Sequence, residues 1–235
     1  MQPVTNAVVV GMGEVGTALQ AILKCDAHDP AKNFNVEGHF DFVHLAIPYV
    51  TEKQFSDAVA EVREKFTPAL IINHSSVPVG TSRKLDLVHS PIRGVHPNLE
   101  RGIRTFTKYF GAVNRNVAEV AGSTFSAQGI KVKIANCPEE TEAGKLWCTT
   151  GYGLNIVLEK IIFAYCKEKK LDFNFVYSEF NDSYNKGYSA LGMPQFAKYN
   201  LKHMDGKIGG HCILPNIDLL DEFVGDWIAD QNELF

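Results

Sequence analysis

The first group of residues suited to chemistry is a glycine-rich turn near the start of the chain. Gly11, Gly13 and Gly16 form a G-x-G-x-x-G sequence directly after the apolar run Val8–Val10. The first glycine permits a tight turn, the second lets the backbone approach a diphosphate, and the third allows close packing of helix on strand. A helix that begins there offers its free N–H groups to the anion. The predicted dinucleotide contacts are Gly11, Met12, Gly13, Glu14, Val15 and Gly16.

A carboxylate further along indicates which dinucleotide is bound. Asp29 falls at the expected end of the second strand, where a carboxylate accepts hydrogen bonds from the adenosine ribose and repels a 2′-phosphate. This favours NAD over NADP. Asp26 is the alternative on the same strand, Asp29-Pro30 could simply form a turn, and Lys32 keeps NADP open. Pro48 and Ser75, after the next predicted strands, complete the predicted cofactor contacts.

Three further segments resemble one family, the nucleotide-sugar 6-dehydrogenases, which include the UDP-glucose, GDP-mannose and UDP-N-acetylmannosamine dehydrogenases. Ser75–Thr81 resembles the family's S-T-V-P-V-G-T segment. Glu142–Leu146 resembles its E-x-x-K-L, and Gly209–Ile213 is similar to its G-G-H-C-I, which carries a nucleophilic cysteine. These segments occur in the family's order over most of the chain.

The resemblance implies that a primary alcohol is oxidised twice, with two hydride transfers to NAD. Cys212 would then add to the aldehyde intermediate, and water would cleave the resulting thioester. Lys145 would stabilise negative charge on the substrate oxygen, with Ser76 at the position of the family's threonine. Glu100 lies where the family has its S-P-E-x-x-x-E-G loop and is a candidate to activate water.

The chain departs from the family pattern at two catalytic positions. Thr149 replaces an asparagine one helical turn after the lysine, and Asn216 replaces an aspartate after the cysteine. Asn216 cannot act as a base, and Thr149 lacks the two-donor amide. Two alternatives therefore stay open: a single-step dehydrogenase of the 3-hydroxyacid type, in which Cys212 is dispensable, and a dinucleotide-binding protein without turnover. His96-Pro97 also resembles the H-P pair of prephenate-type dehydrogenases.

The order of predicted elements indicates how these residues are positioned. Strands alternate with helices in the first half, which predicts an α/β fold with a Rossmann-type, doubly wound parallel sheet. A smaller all-helical domain follows, so the predicted domains are 1–137 and 138–235. Predicted strands are 6–10, 25–29, 42–47, 69–73, 91–95 and 131–135. Predicted helices are 14–24, 52–65, 80–87, 115–128, 138–170, 173–187, 193–204 and 217–230.

Composition narrows the partners to a small-molecule substrate. The net charge of −4 favours neither nucleic acid nor an anionic membrane as a partner. The sequence lacks a membrane-spanning run and the layout of a signal peptide, which predicts a cytoplasmic protein. Five cysteines without a C-x-x-C pair predict reduced thiols and no metal site.

Two expectations concern size and assembly. The interior of the long helix, from Leu154 to Tyr165, is apolar on most faces and is predicted to be buried. This helix and the family resemblance predict a homodimer. Relative to the family, the sequence is shortened, and we expect it to lack the C-terminal domain that binds the nucleotide half of the substrate.

Overall fold

The computed structural model describes residues 6–94, 97–209 and 213–235. Contacts divide the chain into two compact units between Lys145 and Leu146, inside the helix Pro138–Lys169. The predicted domains 1–137 and 138–235 stay a prediction. Each unit is described by itself below.

The first unit is built on a five-stranded parallel sheet, as predicted. Its strands lie in the spatial order β2-β1-β3-β4-β5. From β1 the chain adds β2 on one side and then β3 on the other, so the switch point of the sheet lies between β1 and β3. In open α/β sheets a ligand binds beyond the carboxyl ends of the strands at such a switch point. The strands are β1 (Ala7–Val10), β2 (Asp26–His28), β3 (Phe42–Leu45), β4 (Leu70–Asn73) and β5 (Val88–His89).

Helices cover both faces of this sheet because the strand residues alternate in direction. Val9 packs in one buried cluster with Leu19 and Phe125, while Val8 packs in another with Phe55. The sheet is therefore doubly wound. The helices of this unit are α1 (Glu14–Leu23), α2 (Glu52–Phe66), α3 (Thr81–Lys84), α4 (Leu99–Thr105) and α5 (Arg115–Ser126), followed by the start of α6 (Pro138–Lys169).

The predictions were wrong where the last strands form. The sequence favoured a strand over 91–95, but β5 ends at His89 and residues 91–94 lie outside the strands. Pro91 has no N–H to donate to a ladder, which explains why pairing stops before it. A two-stranded parallel sheet of β6 (Lys108–Phe110) and β7 (Val132–Ile134) follows, and its first strand was not predicted.

The second unit is helical, in agreement with the predicted fold class. After the main part of α6 come a π-helical segment (Asn174–Glu179), α7 (Phe180–Ala190), α8 (Ile213–Leu220) and α9 (Phe223–Asn232). A cluster of buried aliphatic residues from α6, α8, α9 and the segment before α8 forms its core: Val157, Ile208, Ile213, Ile217 and Ile228. Gly153 lets α8 approach α6, because a Cβ there would lie 2.8 Å from Ile213 Cγ2.

Three predictions for this unit were wrong. The region predicted as a helix over 193–204 is irregular apart from a short 3-10 turn, Pro194–Phe196. The predicted final helix, 217–230, is two helices separated at Asp221, whose φ is +51°. The apolar residues of α6 between Leu154 and Tyr165 are also not all buried, since both end residues are exposed. Among the described residues, no helix combines the length and the hydropathy needed to cross a bilayer.

Candidate active site

The glycine turn between β1 and α1 needs glycine at two positions for its own geometry. Gly11 has φ +89°, and a Cβ there would lie 2.5 Å from the carbonyl oxygen of Ala46. A Cβ at Gly16 would lie 1.8 Å from the carbonyl oxygen of Gly11. The strand, the turn and the helix are therefore packed backbone to backbone, as the sequence predicted.

Gly13 differs, because the fold itself does not require a glycine there. It is the exposed N-cap residue of α1, with φ −69°, and a Cβ built on it meets nothing within 4 Å. The missing side chain leaves open space directly above the first N–H groups of α1. A diphosphate fits such a place, because it needs close backbone approach and the positive end of a helix dipole. Glu14 and Val15 form the first residues of α1.

Asp29 reaches the same turn from the carboxyl end of β2. Its Oδ2 accepts a hydrogen bond of 2.9 Å from the backbone N–H of Met12. Lys32 Nζ donates to the carbonyl oxygen of Met12 at 2.7 Å, so a cation borders the carboxylate. Asp26 pairs with Val8 at the start of β2, near the other end of the strand. Of the two carboxylates, the geometry favours Asp29 for a ribose.

The loops after β3 and β4 close the same edge of the sheet. Ser75 Oγ donates to the carbonyl oxygen of Ile47 at 2.5 Å, and Pro48 directly follows Ile47. The backbone N–H of Ala46 in turn donates to Val10, at the end of β1. Ser76 is half-buried in the loop after β4. The predicted cofactor residues thus occupy neighbouring loops at the switch point.

A buried carboxylate attaches the start of α6 to this region. Glu142 accepts hydrogen bonds from the backbone N–H groups of Gly80 (2.7 Å) and Ser82 (2.8 Å), at the N-terminus of α3. Burial raises the pKa of Glu142, against the effect of these hydrogen bonds. Lys145 lies one turn further along α6. The two matching segments of the sequence, Ser75–Thr81 and Glu142–Leu146, are therefore in direct contact.

Three buried histidines lie beneath the site. His89 Nε2 lies 3.2 Å from the carbonyl oxygen of Ser75, and its Nδ1 lies 2.7 Å from Thr141 Oγ1 on α6. His44 Nδ1 lies 3.0 Å from His74 Nε2. Burial is the main cause that lowers the pKa of His44 and of His89 to about 3, and it lowers the pKa of His74 well below its ordinary value. These rings are therefore neutral near pH 7.

A buried lysine adjoins the histidines. Lys108 Nζ lies 2.6 Å from both the carbonyl oxygen and Oγ of Ser90, and 3.2 Å from His74 Nδ1. Burial lowers the pKa of Lys108 well below its ordinary value, and the charges of Arg93 and Lys145 lower it further. The charges of Arg93 and Lys145 are therefore both close enough to act on Lys108.

The remaining predicted site residues lie in several places. Glu100 is on α4, where its carboxylate accepts a hydrogen bond of 3.0 Å from Arg104 Nε. In the second unit, Asn216 Nδ2 donates to Thr149 Oγ1 at 3.3 Å, so these two positions contact each other. Cys212 and His96 lie outside the described residues. Their predicted roles stay predictions.

Sequence reasoning missed the residues that support the site. His89 is the last residue of β5 and Lys108 is the first residue of β6. Glu142 was part of a matching segment, but the sequence predicted no contact for it. One signal could have found the histidines. His44, His74 and His89 each lie in or directly after a strand of a parallel sheet, where a polar side chain must be accommodated in a buried layer.

The fold of the first unit is a Rossmann-type, doubly wound parallel sheet. No protein-family model matches the sequence, and no curated protein matches it. Among solved structures, the UDP-D-ManNAc dehydrogenase of Pyrococcus horikoshii is similar over 97% of this chain and 68% of that chain, with 14% identity and a TM-score of 0.75. A UDP-glucose dehydrogenase from Pyrobaculum islandicum is similar over 100% of this chain and 70% of that one, with 13% identity and a TM-score of 0.70.

A shorter enzyme is similar over almost its whole length. The 3-hydroxyisobutyrate dehydrogenase of Mycobacterium tuberculosis matches 96% of this chain and 91% of its own, with 14% identity and a TM-score of 0.70. The chain therefore spans about two thirds of the nucleotide-sugar dehydrogenases and most of the hydroxyacid enzyme. At these identities the likeness establishes the fold.

Proposed function

We propose that the chain is a dehydrogenase that binds a nicotinamide dinucleotide and oxidises an alcohol of a polar, sugar-like metabolite. The observation that carries the proposal is the open N-terminus of α1 at Gly13, bordered by the carboxylate of Asp29. Bound NAD⁺ supplies the acceptor for the hydride that leaves the alcohol carbon, while the hydroxyl proton passes to a base or to water. The fold shared with known dehydrogenases supports the same conclusion.

NAD is the cofactor that we propose, in preference to NADP. The adenosine ribose would lie next to the carboxylate of Asp29, which would repel a 2′-phosphate. Lys32 is the group that could reduce this repulsion, because its ammonium lies against the same turn. Asp29→Asn is therefore expected to weaken NADH binding and to narrow the difference between NADH and NADPH.

Lys145 is the proposed catalytic cation. The two hydrogen bonds that Glu142 accepts attach the start of its helix to the loop after β4, and Lys145 follows one turn later in the wall of a cavity. An ammonium next to the substrate oxygen stabilises the negative charge that develops when the O–H bond breaks. Lys145→Met should retain NADH binding and lose turnover, because methionine keeps the length of the side chain without its charge.

Whether one or two hydrides are transferred depends on residues of the second unit. In the two-step version, implied by the family resemblance, Cys212 holds the aldehyde carbon through its sulfur. The contact between Thr149 and Asn216 favours the single-step alternative, because neither side chain supplies a carboxylate. Loss of only the second hydride in Cys212→Ser would support two steps, and an unchanged rate would support one.

We further propose that the protein is a homodimer and that it functions in the cytoplasm. Four apolar residues recur on one face of α6 and are 36% to 52% exposed: Leu154, Leu158, Ile161 and Tyr165. A second copy of the same helix would cover this stripe. Leu158→Lys should shift the molecular mass in analytical ultracentrifugation from dimer to monomer. Leu191→Lys, at another exposed leucine, is the matched control.

The experiment that tests the proposed function combines binding and turnover. NADH and NADPH are titrated into the wild type, Asp29→Asn and Lys145→Met, and NAD⁺ reduction is then followed with sugar nucleotides, hydroxyacids and polyols. The proposal predicts NADH binding, reduction with at least one substrate, and no reduction by Lys145→Met. NADH binding without any turnover would favour a dinucleotide-binding protein, and no binding of either nucleotide would refute the proposal.

A further inference from the structure

A cavity of about 510 Å³ lies in the first unit, beside the start of α6. Its walls come from the segment after β5, from β6 and β7, and from the first turns of α6. The residues that matter here are Arg93, Tyr109, Lys133, Glu140, Thr141 and Lys145. None of them belongs to the predicted cofactor contacts, so the cavity is a separate feature of the site.

The charges that line this cavity are mainly positive. Among its described residues, Arg93, Lys133 and Lys145 are cationic and Glu140 is the one carboxylate. Glu140 is held by its own helix terminus, because its two oxygens accept hydrogen bonds from the backbone and side-chain N–H groups of Asn136, each at 2.8 Å. Glu140 stays ionised, and the three cations still give the cavity lining an excess of positive charge over this one carboxylate.

Arg93 is held in a fixed orientation. One of its terminal nitrogens donates to the carbonyl oxygen of Thr107 at 3.0 Å. Its guanidinium carbon lies 4.9 Å from the ring centre of Tyr109 and 5.4 Å from that of Phe106. A guanidinium held in this way has already lost most of its freedom before a ligand arrives. It can then present its planar donor edge to two oxygens of one anion.

The positive charges also act on a buried neighbour. Lys108 is fully buried, and the charges of Arg93 and Lys145 both lower its pKa, after the larger effect of burial. An anion in the cavity would be attracted by Arg93 and Lys145 together. The arrangement therefore favours a negatively charged ligand.

The cavity is connected to the cofactor loop through two hydrogen bonds. Thr141, in the cavity wall, lies 2.7 Å from His89 Nδ1, and His89 Nε2 lies 3.2 Å from the carbonyl oxygen of Ser75. A ligand in the cavity would thus lie near the loop of Ser75, which is one of the predicted cofactor contacts. Lys145, the proposed catalytic cation, lines the same cavity.

We propose that this cavity binds an oxyanion of the substrate, a carboxylate or a phosphate, through Arg93 and Lys133. This inference rests on the proposed function only in assigning the anion to the substrate. The binding site itself follows from the cavity, its charges and the fixed guanidinium. The anion would hold one end of the substrate while Lys145 faces its alcohol oxygen.

The test uses the full chain and two small anions, inorganic phosphate and malonate, at constant ionic strength. Each anion is titrated into the wild type, and amide NMR shifts are recorded. Binding should shift the amides of Ile134, Asn136 and Gly144, which line the cavity. Arg93→Gln and Lys133→Gln should each weaken the tighter anion about tenfold, since a hydrogen bond to a charged group contributes roughly this factor.

Two controls separate charge from folding. Arg93→Lys keeps the charge and should recover part of the affinity, whereas Arg115→Gln removes a surface cation that pairs with Glu119 and should bind like the wild type. NADH affinity of each variant reports whether the unit is folded. Tighter phosphate would indicate a phosphorylated substrate and tighter malonate a carboxylate, and either result supports the inference.

Two results would overturn the inference: no cavity shifts with either anion in the wild type, or equal anion affinity in the variant that combines Arg93→Gln and Lys133→Gln. If NADH still bound in those cases, the proposed function would stand without the anion site. If the wild type bound an anion but not NADH, and the double variant did not bind the anion, the site would be supported and the proposed function refuted.

Discussion

The three buried histidines make the first unit sensitive to mild acid. His44, His74 and His89 have lowered pKa values in the folded chain, about 3 for His44 and His89, against an ordinary value of 6.5. Between these values the unfolded chain binds more protons, so stability is present above pH 6.5 and is lost as the pH falls. At pH 5 His44 and His89 each account for about 2 kcal/mol, and together for about 4 kcal/mol relative to pH 7, while the lowered pKa of His74 acts in the same direction.

The assay is urea unfolding at pH 7 and pH 5, with fluorescence and circular dichroism as probes. Replacing His44 by leucine should reduce the acid-induced loss of stability by about 2 kcal/mol, whatever its effect on stability at pH 7. The Nε2 of His44 has no described hydrogen-bond partner, which makes this ring the simplest of the three to replace. Equal stability of the wild type at the two pH values would refute the reasoning.

Three further predictions concern packing and helix attachment. Gly16→Ala should unfold the first unit or cost several kcal/mol by thermal denaturation, because its Cβ would lie 1.8 Å from the carbonyl oxygen of Gly11. Normal melting would contradict the packing of α1 on β1. Glu142→Gln should lower the unfolding free energy by about 1–3 kcal/mol, because an amide offers one acceptor where the carboxylate offers two. An unchanged value would contradict the attachment of α6. Gly187→Ala lies in α7, and nothing lies within 4 Å of the new Cβ. It should increase the free energy of unfolding by about 1 kcal/mol and so raise the melting temperature. A lower melting temperature would contradict this prediction.

Local signals in the sequence were sufficient to predict the helices and strands whose limits depend on neighbouring residues alone. β1, α1 and α2 end within a residue of the predicted limits, because an apolar run, a glycine turn and an amphipathic period each specify one element. The switch from alternating elements to helices at Pro138 likewise locates the start of α6. The glycine turn was predicted for the same reason, and the cofactor roles of Asp29 and Ser75 stay predictions.

Features that depend on contacts distant in the sequence could not be predicted. The segment 193–204 was predicted as a helix, yet Asn185 exchanges hydrogen bonds with the backbone of Lys198, and Lys160 donates to the carbonyl oxygens of Met204 and Gly206. Such tertiary hydrogen bonds replace a local helix. The apolar stripe on α6 shows a second limit, because a period of 3.6 identifies an apolar face without indicating what covers it.

The cavity that we assign to an oxyanion shows the same limit at the site. Arg93, Lys133 and Lys145 are far apart in sequence, and they meet only because the segment after β5, strand β7 and the first turns of α6 line one cavity. The sequence motifs assign no anion-binding role to Arg93 or Lys133. Their shared role in binding an anion can be inferred only from the cavity that both residues line.

The measurement that tests the account most directly is an NADH titration of the wild type and Gly13→Asp. Aspartate is a favoured N-cap residue, and Gly13 has an ordinary φ and open space around it, so the variant should fold with equal or higher stability. Its carboxylate would occupy and repel the diphosphate position, so NADH affinity should fall at least about tenfold. Gly187→Ala is the control and should bind like the wild type. Unchanged NADH affinity in Gly13→Asp, or no NADH binding by the wild type, would contradict the account.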